Sequence, residues 1–175
     1  LAWGLVFVFF IIYCLLAIPF KSYLQPIIVM SVIPFGAIGA IIGHWIMGMD
    51  LTIMSLLGLM ALIGVVVNDS LVLVDFINGK VRAGEKVFDA VLIAAQSRFR
   101  PVMLTSLTTF IGLMPLLFEK ATQAQFLIPM AVSLGFGIIF ATFITLILVP
   151  VNYLLVEDVK NITARGKNKL VTQLS

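Results

Sequence analysis

The chain has 175 residues, of which 62% are hydrophobic and 11% charged, with a formal net charge of +3 and a mean hydropathy of +1.19. A soluble domain carries about 25% charged residues, so this composition excludes a water-soluble globule and points to the bilayer as solvent. A spanning helix takes about 20 apolar residues, which leaves room for about five spans with short connections and no sizeable soluble domain.

The expected fold is an all-α membrane protein of five transmembrane helices plus one cytoplasmic surface helix. The bundle covers residues 1–156, and residues 157–175 form a polar, disordered cytoplasmic tail. The first span covers 2–20 and opens in an apolar run with no methionine. No basic segment precedes it and no small-residue cleavage site follows, only Ile18-Pro19-Phe20-Lys21. It therefore reads as a helix of a longer protein rather than a signal peptide. Cys14, the single cysteine, falls mid-span and has no intrachain partner for a disulfide.

The second span covers 26–45 and contains Pro34. Its Gly36, Gly39 and Gly43 flatten one face and allow close approach of another helix. The third and longest span covers 51–77. Over 85–97, Val87, Phe88, Val91, Leu92 and Ala95 recur at helical spacing among Lys86, Asp89 and Gln96. That pattern predicts an amphipathic helix lying on the membrane surface, the alternative being a connector packed on the bundle ends. Pro101 restarts an apolar run, giving a fourth span over 101–118. The fifth covers 126–156, with Pro129 and Pro150 marking its ends or kinking it.

Five spans place Lys21, Lys80, Arg82, Lys86, Arg98, Arg100, Lys160, Arg165, Lys167 and Lys169 on one side and Lys120 on the other. The positive-inside rule makes the rich side cytoplasmic, with the first residue periplasmic and the C-terminus cytoplasmic. Trp3 and Trp45 then fall at the outer interface, where indoles are favoured.

The chemistry concentrates on two spans. Asp69, in Val65-Val66-Val67-Asn68-Asp69-Ser70, lies about eight residues, roughly 12 Å, from the end of its helix. A carboxylate at that depth costs about 2.5–3.5 kcal/mol. It must be protonated, paired, in a wet cavity, or on a helix displaced towards water. Asn68 sits about 100° around the helix. Asp75 shares a face with Asn68 and reads as a solvated terminal acid or a membrane carrier.

The fourth span begins Ser97-Arg98-Phe99-Arg100-Pro101 and continues to Thr105, Ser106, Thr108 and Thr109. The two arginines sit at the cytoplasmic mouth, as interfacial anchors or with one turned inward to a buried acid. Thr105 either bonds back to its own helix or joins a proton path. His44 is the single histidine, and the eight methionines are scattered, so no metal cluster is expected. No phosphate-binding glycine loop is present, because the Gly58 to Gly64 region lacks the required lysine. No cofactor and no nucleic-acid partner are expected, and no enzyme chemistry.

Gly64-Val-Val-Val-Asn-Asp-Ser-Leu-Val-Leu-Val-Asp-Phe76, Arg98-Phe-Arg-Pro-Val-Met-Leu-Thr-Ser106, Gly112-Leu-Met-Pro115 and the closing Val149-Pro150-Val151 together resemble the C-terminal membrane half of resistance-nodulation-division (RND) efflux pumps, nearest to the hydrophobe/amphiphile exporters of AcrB type. The resemblance covers about residues 1–156 and implies the last five helices of a twelve-helix transporter. It also implies a proton-driven multidrug or amphiphile antiporter of the bacterial inner membrane. Its partners would be the N-terminal half of the same chain, two further copies in a homotrimer, a periplasmic adaptor and an outer-membrane channel. By motif position Arg98 and Thr105 match relay residues that surround two aspartates on the other half.

A family lysine falls on Asn68, and the next residue, usually asparagine, is Asp69. Asparagine hydrogen-bonds but supplies no charge. Arg98 is then the nearby cation, and Asp69 either joins the titrating set or plays a structural role. The expected relay set is Asn68, Asp69, Arg98 and Thr105. The fragment by itself is expected to be inactive. A protein-translocation accessory subunit or lipid exporter of the same superfamily is the alternative, or a scaffold or sterol-sensing type of module. A heavy-metal exporter is disfavoured because no methionine or acidic metal relay is recognisable.

Overall fold

The computed structural model describes the backbone of residues 2–174 and the side chains of Trp3 and residues 6–162. Among the described residues the chain is helical with short turns: α1 (Ala2–Phe20), α2 (Gln25–Met30), α3 (Ile33–Met47), α4 (Ile53–Arg82), α5 (Val87–Leu117), α6 (Thr122–Gln125) and α7 (Ile128–Leu174). Four stretches are long and apolar enough to cross a membrane: Gln25–Met47, Ile53–Arg82, Val87–Leu117 and Ile128–Ile162. α1 contributes a shorter apolar segment, Val6–Phe20.

The second span is two helices rather than one. Pro34 has no amide hydrogen to give to the turn before it, so the ladder opens between Met30 and Ile33. Side chains cover the opening. Ser31 Oγ donates to Ile28 O at 2.6 Å and accepts from Asn152 Nδ2 at 2.9 Å.

At Pro101 the outcome is the opposite. The surface helix expected over 85–97 and the span expected from Pro101 are one helix, α5, with Pro101 inside it. A proline removes a single ladder bond, and flanking turns with good helix formers carry the axis through. The change from amphipathic to apolar sequence therefore marks a change of surroundings, not of backbone. Ala90, Val91 and Ala94 are buried against the bundle, while Phe88 and Leu92 face outward. Of the expected stripe, Val91 therefore packs on protein, while Phe88 and Leu92 stay exposed.

Pro129 stands at the start of α7, but Pro150 lies within it. The helix continues through the residues expected as a disordered tail to Leu174, whose side chains from 163 onward lie outside the described residues.

α7 is the hub and packs against α3, α4 and α5; α1 rests on α2 at the periphery. Small residues make the close crossings possible. A Cβ on Gly39 would overlap Phe140, one on Gly43 would overlap Phe136, and one on Gly36 would press on Leu62. Gly137 on α7 faces the Gly36 carbonyl and Leu62 in return. The inward face of α4 repeats at helical period as Ser55, Gly58, Leu62, Val66, Ser70, Leu73 and Ile77.

Polar side chains pin the helices where no water satisfies them. Ser106 on α5 bonds Thr142 on α7. At the far end of α3, where Gly48 in the left-handed region stops the helix, His44 is buried and its Nδ1 lies 2.9 Å from Ala40 O. A carbonyl only accepts, so Nδ1 carries a proton, and in the neutral ring Nε2 accepts from Ser55 Oγ at 2.7 Å. Ser55 in turn closes the capping box with Thr52 that starts α4. His44→Ala is expected to lower stability by about 2 kcal/mol, and a double-mutant cycle with Ser55→Ala should return a coupling of about 1 kcal/mol. Thermal unfolding of the detergent-solubilised protein measures both; zero coupling would remove this link between α3 and α4.

Candidate functional site

The α4–α5 hairpin turns at Ala83–Lys86, so residues equally far from the turn meet side by side. Asp69 on α4 and Arg98 on α5 meet in this way. With Val72, Leu73, Pro101, Val102 and Thr105 they line a cleft of about 120 Å³. The continuous α5 puts Arg98 about three turns from the start of its helix, beside Asp69, rather than in the first turn of a helix beginning near Pro101. α4 likewise runs past Ile77 to Arg82, so Asp69 lies farther from the end of its helix than the expected span implied.

Spacing explains why one face of each helix supplies the lining. Asp69, Val72 and Leu73 fall at i, i+3 and i+4, with Phe76 beyond the lining on the same face at i+7, and Arg98, Pro101, Val102 and Thr105 repeat the pattern on α5. Phe76 is the residue that the sequence motifs do not single out as functional. Its ring lies 4.9 Å from the Arg98 guanidinium carbon, close enough for a cation–π contact. The i+7 step from Asp69 is the signal that would have found it.

Arg98 Nε is buried and has no hydrogen-bond partner. Among the described residues the ion pairs are Arg82 with Asp75 at 3.7 Å and Lys160 with Glu157 at 3.8 Å; none joins Arg98 to Asp69. A carboxyl group and a guanidinium therefore share the cleft without an ion pair between them. Thr105 Oγ1 donates back to its own helix, 3.1 Å from Pro101 O and 2.9 Å from Val102 O, and this leaves its oxygen lone pairs as acceptors on the cleft side. A carboxyl, a guanidinium and a hydroxyl so arranged are equipped to take up and release a proton beside a fixed cation.

The cleft unites three of the four expected relay residues. Asn68 is exposed and does not line it, because the 100° step from Asp69 carries its side chain onto the neighbouring face of α4. Arg100 is exposed as well. Asp75 and its partner Arg82 are both largely exposed. Gly36, Gly39 and Gly43 stand away from the cleft, on the α3 face that meets α7.

Residues 2–157 match the model of the AcrB/AcrD/AcrF family. The chain is 29% identical over 166 residues to the multidrug resistance protein MdtC of Pectobacterium carotovorum subsp. carotovorum (strain PC1), covering 92% of this chain and 16% of the relative. It is 31% identical over 161 residues to MdtC of Serratia proteamaculans (strain 568), covering 89% and 15%. Among solved structures, a heavy metal efflux pump superposes with a TM-score of 0.81 at 29% identity, over 90% of this chain and 16% of that one. The chain thus spans about a sixth of the length of the proteins it matches.

Proposed function

Because this chain belongs to the AcrB/AcrD/AcrF family of RND efflux transporters, we propose that it forms the C-terminal membrane half of a proton-driven exporter of amphiphiles and supplies part of its proton relay. The observation that carries this reading is the cleft shared by Asp69, Arg98 and Thr105. An ionisable residue within a spanning helix is costly, and in a transporter that cost is offset by a role in moving ions. A multidrug relative and a heavy-metal pump resemble this bundle at the same 29% identity. That equality supports a bundle concerned with energy coupling, with substrate chosen elsewhere in the pump.

In this proposal Arg98 is the cation of the relay. Asp69 takes a proton from one side of the membrane and passes it on as the helices shift, and Thr105 holds the path between them. Asn68, on the exposed face next to Asp69, meets the N-terminal half of the same transporter, whose carboxylates complete the site; this half alone does not transport. The working assembly is a homotrimer in the inner membrane with a periplasmic adaptor and an outer-membrane channel. The end that carries Lys21, Lys80, Arg82 and Lys86 faces the cytoplasm, as the excess of basic residues favours.

Asp69→Asn in the full-length transporter tests the relay. Export driven by an imposed proton gradient should fall at least tenfold, since asparagine keeps the size and loses the titrating group; about 1.4 kcal/mol suffices for that factor. Export with the rate and pH dependence of the wild type would remove Asp69 from the relay.

A further inference from the structure

A second cleft, of about 320 Å³, opens where α1 ends beside the end of α4, and Pro19, Phe20, Lys21, Gln25, Asn78, Val81 and Arg82 line it. Its chemistry is unlike that of the rest of the bundle. Lys21 terminates α1 with φ 47°, in the left-handed region that a lysine rarely adopts. This tight turn lets α2 begin at Gln25, next to the end of α4.

At the base of the cleft two amides clasp each other. Gln25 Nε2 donates to Asn78 Oδ1 and Asn78 Nδ2 donates to Gln25 Oε1, both at 2.9 Å. Tyr153 OH on α7 also donates to Asn78 Oδ1, at 2.7 Å. The Asn78 acceptor is thereby filled twice, while each amide NH₂ keeps a second hydrogen. Arg82 leans over the same site, with Nε 3.2 Å from Asn78 O and Nη2 3.7 Å from Asp75 Oδ1. The lining therefore offers an ammonium, a guanidinium that meets Asp75 through one nitrogen, and two amide N–H groups, and no carboxylate lines the cleft itself.

Such a surplus of donors calls for an anion with several acceptor oxygens. The remaining wall, Pro19, Phe20 and Val81, is apolar and continues onto the outward-facing side of α1, where Leu15 and Ile18 are exposed. We propose that this cleft binds the phosphate of an anionic phospholipid, with Lys21 and Arg82 holding its charge, Gln25 and Asn78 its oxygens, and the apolar wall its glycerol and upper acyl chain. Free phosphate would meet the same donors, but it has no use for the wall. A zwitterionic headgroup would bring a cation towards Lys21 and Arg82. This site stands apart from the Asp69 cleft and does not depend on the export reading.

Native mass spectrometry of the full-length protein, titrated with phosphatidylglycerol, phosphatidylcholine or inorganic phosphate, tests the proposal. Wild type should bind its first phosphatidylglycerol more tightly than phosphatidylcholine. Lys21→Gln with Arg82→Gln should weaken phosphatidylglycerol about tenfold and leave phosphatidylcholine unchanged. Both side chains are exposed, so folding is expected to survive. Lys21→Arg should retain binding, and Lys120→Gln, at the other end of the bundle, should have no effect. Equal binding by wild type and the double variant would overturn the site. Displacement of phosphatidylglycerol by an equal concentration of inorganic phosphate would overturn its assignment to a lipid.

Discussion

Replacing Arg98 by alanine in the full-length transporter is expected to lower proton-coupled export about a hundredfold. Arg98 is the cation of the Asp69 cleft, and no other basic residue lines it. An ionised group left uncompensated inside the membrane costs about 2.5–3.5 kcal/mol, and every 1.4 kcal/mol is tenfold. Arg98→Lys should fall between the two, at about a tenfold loss. Lysine keeps the charge, but its compact ammonium gives up the guanidinium's contact over the Phe76 ring. Export in membrane vesicles under a fixed proton gradient is the measurement, with thermal unfolding run in parallel to confirm that the variants fold. A folded Arg98→Ala protein that exports like the wild type would show that the cleft is not part of the relay.

Gly58→Ala is expected to be the most damaging glycine substitution in the bundle, at about 3 kcal/mol of stability. A Cβ at this position would overlap the carbonyl oxygen of Met130 in the first turn of α7. That obstacle is backbone, fixed within a helix, so α4 and α7 must move apart along their crossing. At Gly137 the same added carbon overlaps the end of the buried Leu62 side chain rather than backbone, so Leu62 must repack and the cost should be smaller, about 1–2 kcal/mol. At Gly79 nothing lies within reach, and alanine should be neutral or slightly stabilising through helix propensity. The order Gly58 worst, Gly137 mild, Gly79 silent is read from melting temperatures of the purified protein in detergent. A Gly58→Ala protein that melts with the wild type would mean that the helices cross less closely than they do here.

Low charge and long apolar runs determine the membrane solvent and the helical class, because only a helix or a closed barrel satisfies backbone groups in lipid. The same runs predict about where helices lie, and the uneven spread of basic residues predicts an orientation. Asp69, Arg98 and Thr105 also stand out from residue type alone, since ionisable and hydroxyl groups in apolar helices are conspicuous.

Tertiary packing decided the rest. Two prolines act opposite to their sequence reading, in which Pro34 lay inside a span and Pro101 began one. At Pro34 the helix breaks, and Ser31 and Asn152 cover the gap. At Pro101 it continues, with the preceding turns packed through Ala90, Val91 and Ala94. That continuity brings Arg98 level with Asp69 and over Phe76. Asn68 stays outside the cleft because it lies about 100° around α4 from Asp69. Linear spacing assigns a residue to a helix face, but which face meets a neighbour depends on how the helices rotate against α7. That rotation is set where Gly39, Gly43 and Gly58 let α7 come close.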